Sequence, residues 1–140
     1  MKKDVSYLIK VVHDGFRAKV DAQLKSSDMT VSQSRVLHFI RDSGGVTTQK
    51  KIEEFLEVSH PTVVGLLSRM MKSGYIECGY DEEHGKNKIV RETQKAVDYS
   101  KEMDSFFEKA NEKLTEGLSE EEKSELMRLL GVLYENVNKF

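Results

Sequence analysis

Between Thr47 and Lys88 the chain gathers short, polar and cationic side chains where a helix can present them outward. Ser59-His60-Pro61-Thr62 opens a segment in which Val63, Leu66, Leu67 and Met70 recur at steps of three and four. That period assigns one helical face to a core. It leaves His60, Thr62, Val64, Gly65, Ser68 and Arg69 on the outward face, with Lys72 at the end and no carboxylate from Ser59 to Lys72. The chemistry such a face can do is contact with a nucleic-acid groove. Imidazole and hydroxyl groups meet base edges, Val64 and the Thr62 methyl meet thymine methyl groups, and Gly65 allows close approach. Downstream, His84, Lys86, Asn87 and Lys88 surround Gly85 in a charged loop suited to a phosphate backbone.

These side chains need a scaffold, and the sequence predicts a largely helical one. Val5, Leu8, Ile9, Val12, Phe16, Val20 and Leu24 form one stripe of a first helix from about Asp4 to Lys25. Thr30 with Gln33 is a capping-box pattern that starts a second helix, with Val36, Leu37 and Ile40 inward and Gly44-Gly45 at its end. A third helix follows Thr47 or Thr48 as N-cap, with Ile52, Phe55 and Leu56 inward. Glu57-Val58-Ser59 is a tight turn, Ser59 caps the fourth helix and Pro61 occupies its first turn. Two strand-like runs, Tyr75 to Tyr80 and Lys88 to Glu92, flank the loop at Gly85. A long helix from about Thr93 to Leu114 carries Ala96, Tyr99, Met103, Phe106, Phe107 and Ala110. Ser119 with Glu122 caps a last helix bearing Leu126, Leu129, Leu130, Leu133 and Val137. Helix, turn, helix and hairpin in this order are the layout of a winged helix-turn-helix. The first helix has more apolar stripe than a compact core of this size requires, so packing against a second subunit is its natural use.

Composition narrows the function classes. The formal net charge is −2, so any field attracting DNA must be local. Carboxylates concentrate after Glu102, including Glu120, Glu121 and Glu122, which would face away from such a partner. One cysteine excludes an internal disulfide and fits a reducing, cytoplasmic setting. No apolar run approaches a membrane span, and Asp4, Lys10, His13 and Asp14 break the N-terminal segment at helical spacing, unlike a signal peptide.

The segments MTVSQSRVLHFI, VSHPTVVGLLSRMMKSGYI and GLSEEEKSELMRLLGVLYENV, in this order, resemble the second helix, the recognition helix with wing entry, and the closing helix of the MarR family of bacterial transcription regulators. The resemblance spans nearly the whole chain. It implies a dimerisation helix, a winged helix-turn-helix and two further dimerisation helices. The family's wing usually reads Asp-x-Arg and leads into Leu-Thr-x-x-Gly; here His84 and Lys86 stand at the first pair, Glu92-Thr93 replaces Leu-Thr, and Ala96 replaces the glycine. Lysine keeps the charge but loses the planar fork of arginine, which implies a weaker wing contact, while a protonated His84 would compensate. Cys78 falls where the family often has arginine.

Other candidates are weighed the same way. Ser32, Gln33, Ser34, Thr47, Thr48 and Gln49 sit at helix starts, where N–H and hydroxyl groups hold phosphates. Cys78 has Glu77 and Asp81 nearby, which do not activate a thiol, so it reads as a half-buried strand residue rather than a redox switch. The histidines are scattered, no two at i, i+4, so no metal and no cofactor is expected. The resemblance implies an effector cleft beside the dimerisation helices, where small aromatic acids or phenols bind in the family. His13, Phe16, Arg17, Val36 and His38 would border it; simple packing with a surface arginine explains them equally well. Carboxylate pairs such as Glu53-Glu54 read as solvated faces, and no catalytic constellation appears, so no enzyme is expected.

The expected fold is mainly α with a small β-hairpin wing, as one domain over 1–140. A DNA-binding lobe would occupy 30–92, and dimerisation helices 1–28 and 93–140. The expected function is a homodimeric, sequence-specific regulator binding a pseudo-palindromic operator in double-stranded DNA, most simply a repressor released by a small aromatic or anionic effector. The alternative is a helical dimer that keeps the fold but binds protein or ligand without DNA.

Overall fold

The computed structural model describes residues 2–80, 82–83 and 85–139. In chain order the elements are α1 (Val5–Ser26), α2 (Val31–Asp42), β1 (Val46–Thr48), α3 (Gln49–Leu56), α4 (His60–Lys72), β2 (Ile76–Gly79), β3 (Ile89–Glu92), α5 (Gln94–Leu114) and α6 (Glu120–Val137). The chain forms two compact units, Met1–Ser100 and Lys101–Phe140. No helix among the described residues is long and apolar enough to cross a membrane.

Helix boundaries follow from local chemistry. Asp4 accepts from the Tyr7 amide to open α1. At Thr30 both halves of the capping box are made: Gln33 N donates to Thr30 Oγ1 and Thr30 N donates to Gln33 Oε1, each at 3.1 Å. Ser119 and Glu122 make the same reciprocal pair before α6. Such caps satisfy N–H groups that the first helical turn cannot pair. Between α3 and α4 the chain turns at Glu57, whose φ of 55° is left-handed in a residue with a Cβ.

The expected hairpin is present as β2 and β3, and the sheet adds a strand to it. The sheet has three antiparallel strands in the order β1-β3-β2. Thr47 pairs with Val90 and Thr48 with Ile89 on one side of β3; Cys78 pairs with Val90 and Glu77 with Arg91 on the other. The overlooked strand, Val46-Thr47-Thr48, is β-branched throughout, a signal of strand preference hidden by its shortness.

The core of the first unit is the expected one in most positions. Val36, Ile40, Ile52, Val63, Met70 and Val90 are fully inaccessible, with Leu37 and Leu67 nearly so. Side chains of this size each contribute about 1.5–3 kcal/mol when buried. Phe55 is an exception: it lies at the rim, stacked on Phe39 at 4.5 Å and covered by the Arg35 guanidinium.

The terminal helices differ. Val5, Leu8, Ile9 and Val12 on α1 are exposed, as are Leu129, Leu130, Tyr134 and Val137 on α6. No residue of α6 is buried. On α5, Ala96, Tyr99 and Met103 are buried, while Phe106 and Phe107 meet edge to face at 5.6 Å.

Candidate nucleic-acid interface

The helix-turn-helix rests on α4. Ser59 supplies its N-cap, accepting from the Thr62 amide at 3.4 Å, while the Ser59 and Thr62 hydroxyls lie 2.8 Å apart. His60 and Pro61 begin the helix. Val63, Leu66, Leu67 and Met70 turn into the core, whereas His60, Pro61, Thr62, Val64, Arg69 and Lys72 are exposed and Gly65 and Ser68 half-exposed. A methyl at Gly65 would sit 3.5 Å from Arg69 Nη1, so the guanidinium lies back over the glycine on the outward face. Lys72 lies ~18 Å along the axis from His60, at 1.5 Å per residue. There it also complements the helix C-terminus.

A cleft of ≈ 500 Å³ opens between this helix and the wing. Glu53, His60 and Val64 line it from α3 and α4; Tyr80, Lys86 and Lys88 line it from the strand ends and loop. Lys50, Gln49 and Asn87 complete its border. Lys50 and Tyr80 were not anticipated: a lysine on a charged helix and a tyrosine at a strand end carry no pattern of their own. His84 lies outside the described residues.

Gln49, Glu53 and His60 form a connected group across the turn. His60 Nδ1 lies 2.5 Å from Glu53 Oε1, and Gln49 Nε2 donates to the same oxygen at 3.3 Å. The hydrogen bond from His60 holds the Glu53 carboxyl below its ordinary range; partial burial opposes this and Gln49 reinforces it. Glu53 is therefore not simply part of a solvated carboxylate face. Sequence spacing hides the pairing, because it depends on the left-handed turn at Glu57.

Several expected contacts are corrected. Thr47, Thr48 and Gln49 are buried. Thr48 Oγ1 accepts from Lys51 N, and Gln49 N donates to Lys88 O, so these groups serve the strand and the helix cap rather than a phosphate. At the start of α2, Ser32 is exposed and Gln33 and Ser34 are half-exposed, with the Gln33 carbonyl engaged in the capping box.

The proposed effector residues do not share one cleft. Val36 is fully inside the core, whereas His38 is exposed and lies 3.3 Å from Asp42. Residues two apart point to different sides of a helix, which separates them. His13, Phe16 and Arg17 do fall on one side of α1, with Phe16 half-buried. Cys78 is half-buried beside Val90, and burial pushes its thiol above the ordinary value despite the nearby Lys88.

Comparison with known proteins places this arrangement. The MarR family model matches residues 27–86. MepR of Staphylococcus aureus, a transcription regulator of the multidrug efflux pump MepA, superposes with a TM-score of 0.84 at 24% identity, over 96% of this chain and 98% of that one. Escherichia coli MarR in its reduced form gives 0.72 at 22% identity, over 95% and 98%. A MepR–DNA complex from S. aureus gives 0.79 at 25%, over 94% and 98%. The chain thus has the fold of the MarR family, and residues 27–86, which hold α2 through the wing loop, match that family's model.

Proposed function

We propose that the protein is a homodimeric, sequence-specific double-stranded DNA-binding transcription regulator, acting as a repressor that a small-molecule effector releases. The observation that carries this reading is the outward face of α4. It has no carboxylate from Ser59 to Lys72, and it borders one cleft with Lys86 and Lys88. A helix of this kind fits the major groove, with its N-terminal residues at base edges and the wing lysines at the backbone. The direct contacts would come from His60, Thr62, Val64, Gly65, Ser68 and Arg69. Ser32, Gln33, Ser34, Ser59, Lys72, Lys86, Asn87 and Lys88 would hold phosphates. MepR, which has the same fold, has been solved on DNA.

The homodimer rests on the bare apolar faces of α1 and α6, which water would otherwise solvate at a cost. Two copies related by a twofold axis would read half-sites about one helical turn apart. An effector meeting the α1 face at His13, Phe16 and Arg17 would act only by binding the DNA-incompetent arrangement more tightly.

Selection of bound fragments from random duplex DNA tests the proposal. The expected product is a pseudo-palindrome with half-sites about one turn apart. A purified, folded dimer that enriches no sequence, and retains no duplex at low salt, would establish the alternative, a protein- or ligand-binding dimer.

A further inference from the structure

On the reading that α4 enters the DNA groove, we propose that Glu53 fixes the tautomer of His60. Nε2 of His60 then faces base edges, as an acceptor in the neutral ring and as a donor in the imidazolium. His60 is thereby a base reader whose preference is set by its tautomer and protonation state, and Glu53 is its positioning residue.

The geometry supplies each step. Glu53 Oε1 receives His60 Nδ1 at 2.5 Å and Gln49 Nε2 at 3.3 Å. An ionised carboxylate accepts and never donates, so the hydrogen between it and the ring belongs to Nδ1. A neutral imidazole carries one hydrogen, so its other nitrogen is then an acceptor. His60 is the first residue of α4, its side chain is 66% exposed, and it lines the cleft facing the wing. Nε2 is thus the ring atom left for a groove. Glu53 stays ionised through the range where imidazoles titrate, because its carboxyl is held below the ordinary value.

The charged and titratable groups facing the ring come from each element bordering it. They are Glu53 and Lys50 on α3, Tyr80 after β2, and Lys86 and Lys88 before β3. The Glu53 carboxylate is the charged group bonded to the ring; Gln49 Nε2 also lies 3.5 Å from Nδ1, but an Nδ1 that donates to Oε1 has no lone pair left to accept from it, so a proton added to the ring goes to Nε2.

In the major groove an acceptor pairs with the exocyclic amines of adenine or cytosine and is repelled by O6 and N7 of guanine, with which a donor can pair. One operator position per half-site should therefore have its preferred base set by the His60 tautomer that Glu53 holds.

The experiment uses the full chain and its selected operator, with every position varied in turn. His60→Ala locates the position that His60 reads, as the one where discrimination collapses. At that position the wild type should disfavour guanine about tenfold where the nitrogen-15 spectra show a neutral ring, and lose or reverse that preference where they show the imidazolium. Glu53→Ala should abolish the discrimination there while leaving other positions unchanged. Nitrogen-15 spectra of the wild-type imidazole should show the hydrogen on Nδ1 in the neutral ring, a readout independent of variant folding. The proposal is overturned if the neutral ring carries its hydrogen on Nε2. It is also overturned if Glu53→Ala, still binding random duplex, keeps the wild-type preference. Failure of the wild type to bind any duplex at low salt overturns the DNA-binding reading and this inference with it. Binding with unchanged specificity overturns this inference alone.

Discussion

The helix-turn-helix and the terminal helices carry the same kind of sequence pattern and meet opposite fates. Apolar residues recur at helical spacing on α4 and on α6 alike. On α4 they are buried: Val63, Leu66, Leu67 and Met70 complete a core with Ile40 and Ile52. On α6 they stay bare, and Leu129, Leu130 and Val137 are among the exposed residues. A periodic stripe therefore specifies that a face will be covered, but not by what. The lobe covers its own stripes within one chain, whereas those of α1 and α6 stay exposed, and the proposed homodimer would cover them.

The sharpest way to break this contrast is to truncate one member of each set. Leu67→Ala should destabilise the lobe by about 2–5 kcal/mol, since the cavity it leaves cannot fully collapse. Denaturant melts of the two proteins measure this, and an unchanged midpoint would show that the lobe core is not what holds α4. Leu130→Asp should leave the lobe folded but split the dimer, lowering operator affinity on the order of 10²-fold as the second half-site contact is lost. Sedimentation and operator titration read the two effects, and a dimer that survives would move the interface away from α6.

Within the lobe, the wing and the recognition helix can be set against each other. Lys86→Ala should weaken binding to all duplexes about equally and reduce the salt slope by about one phosphate contact. A change confined to one operator sequence would instead make Lys86 a base reader. The smallest effect is expected from Gly65→Ala. The added methyl meets only ordinary contact with Arg69, so the helix should gain about 0.5–1 kcal/mol of stability. Operator affinity should fall in the same variant, because the methyl stands where the groove must approach. A protein both more stable and equally tight on DNA would remove Gly65 from the interface.

Much of this was legible in the sequence, for identifiable reasons. The caps at Thr30, Ser59 and Ser119 and the inward residues of α2 and α4 follow local rules that the tertiary structure leaves intact. What escaped depends on contacts between distant segments. Thr47, Thr48 and Gln49 stand at a helix start, yet they also pair with or bond to the residues from Lys88 to Val90, and the pairing buries them. The expected effector set is divided where Val36 and His38, close in sequence, point to different sides of α2. The link from Glu53 to His60 exists only because Glu57 adopts a left-handed turn that no glycine announces.

The central claim is that α4 and the wing form a cationic, groove-reading surface on a chain whose net charge is −2. Its most direct test is the affinity of the folded dimer for duplex DNA as salt is raised from about 50 to 200 mM. The account predicts a linear fall of log affinity with log salt, made shallower by Lys86→Ala. A folded dimer that binds no duplex at the lowest salt would contradict it.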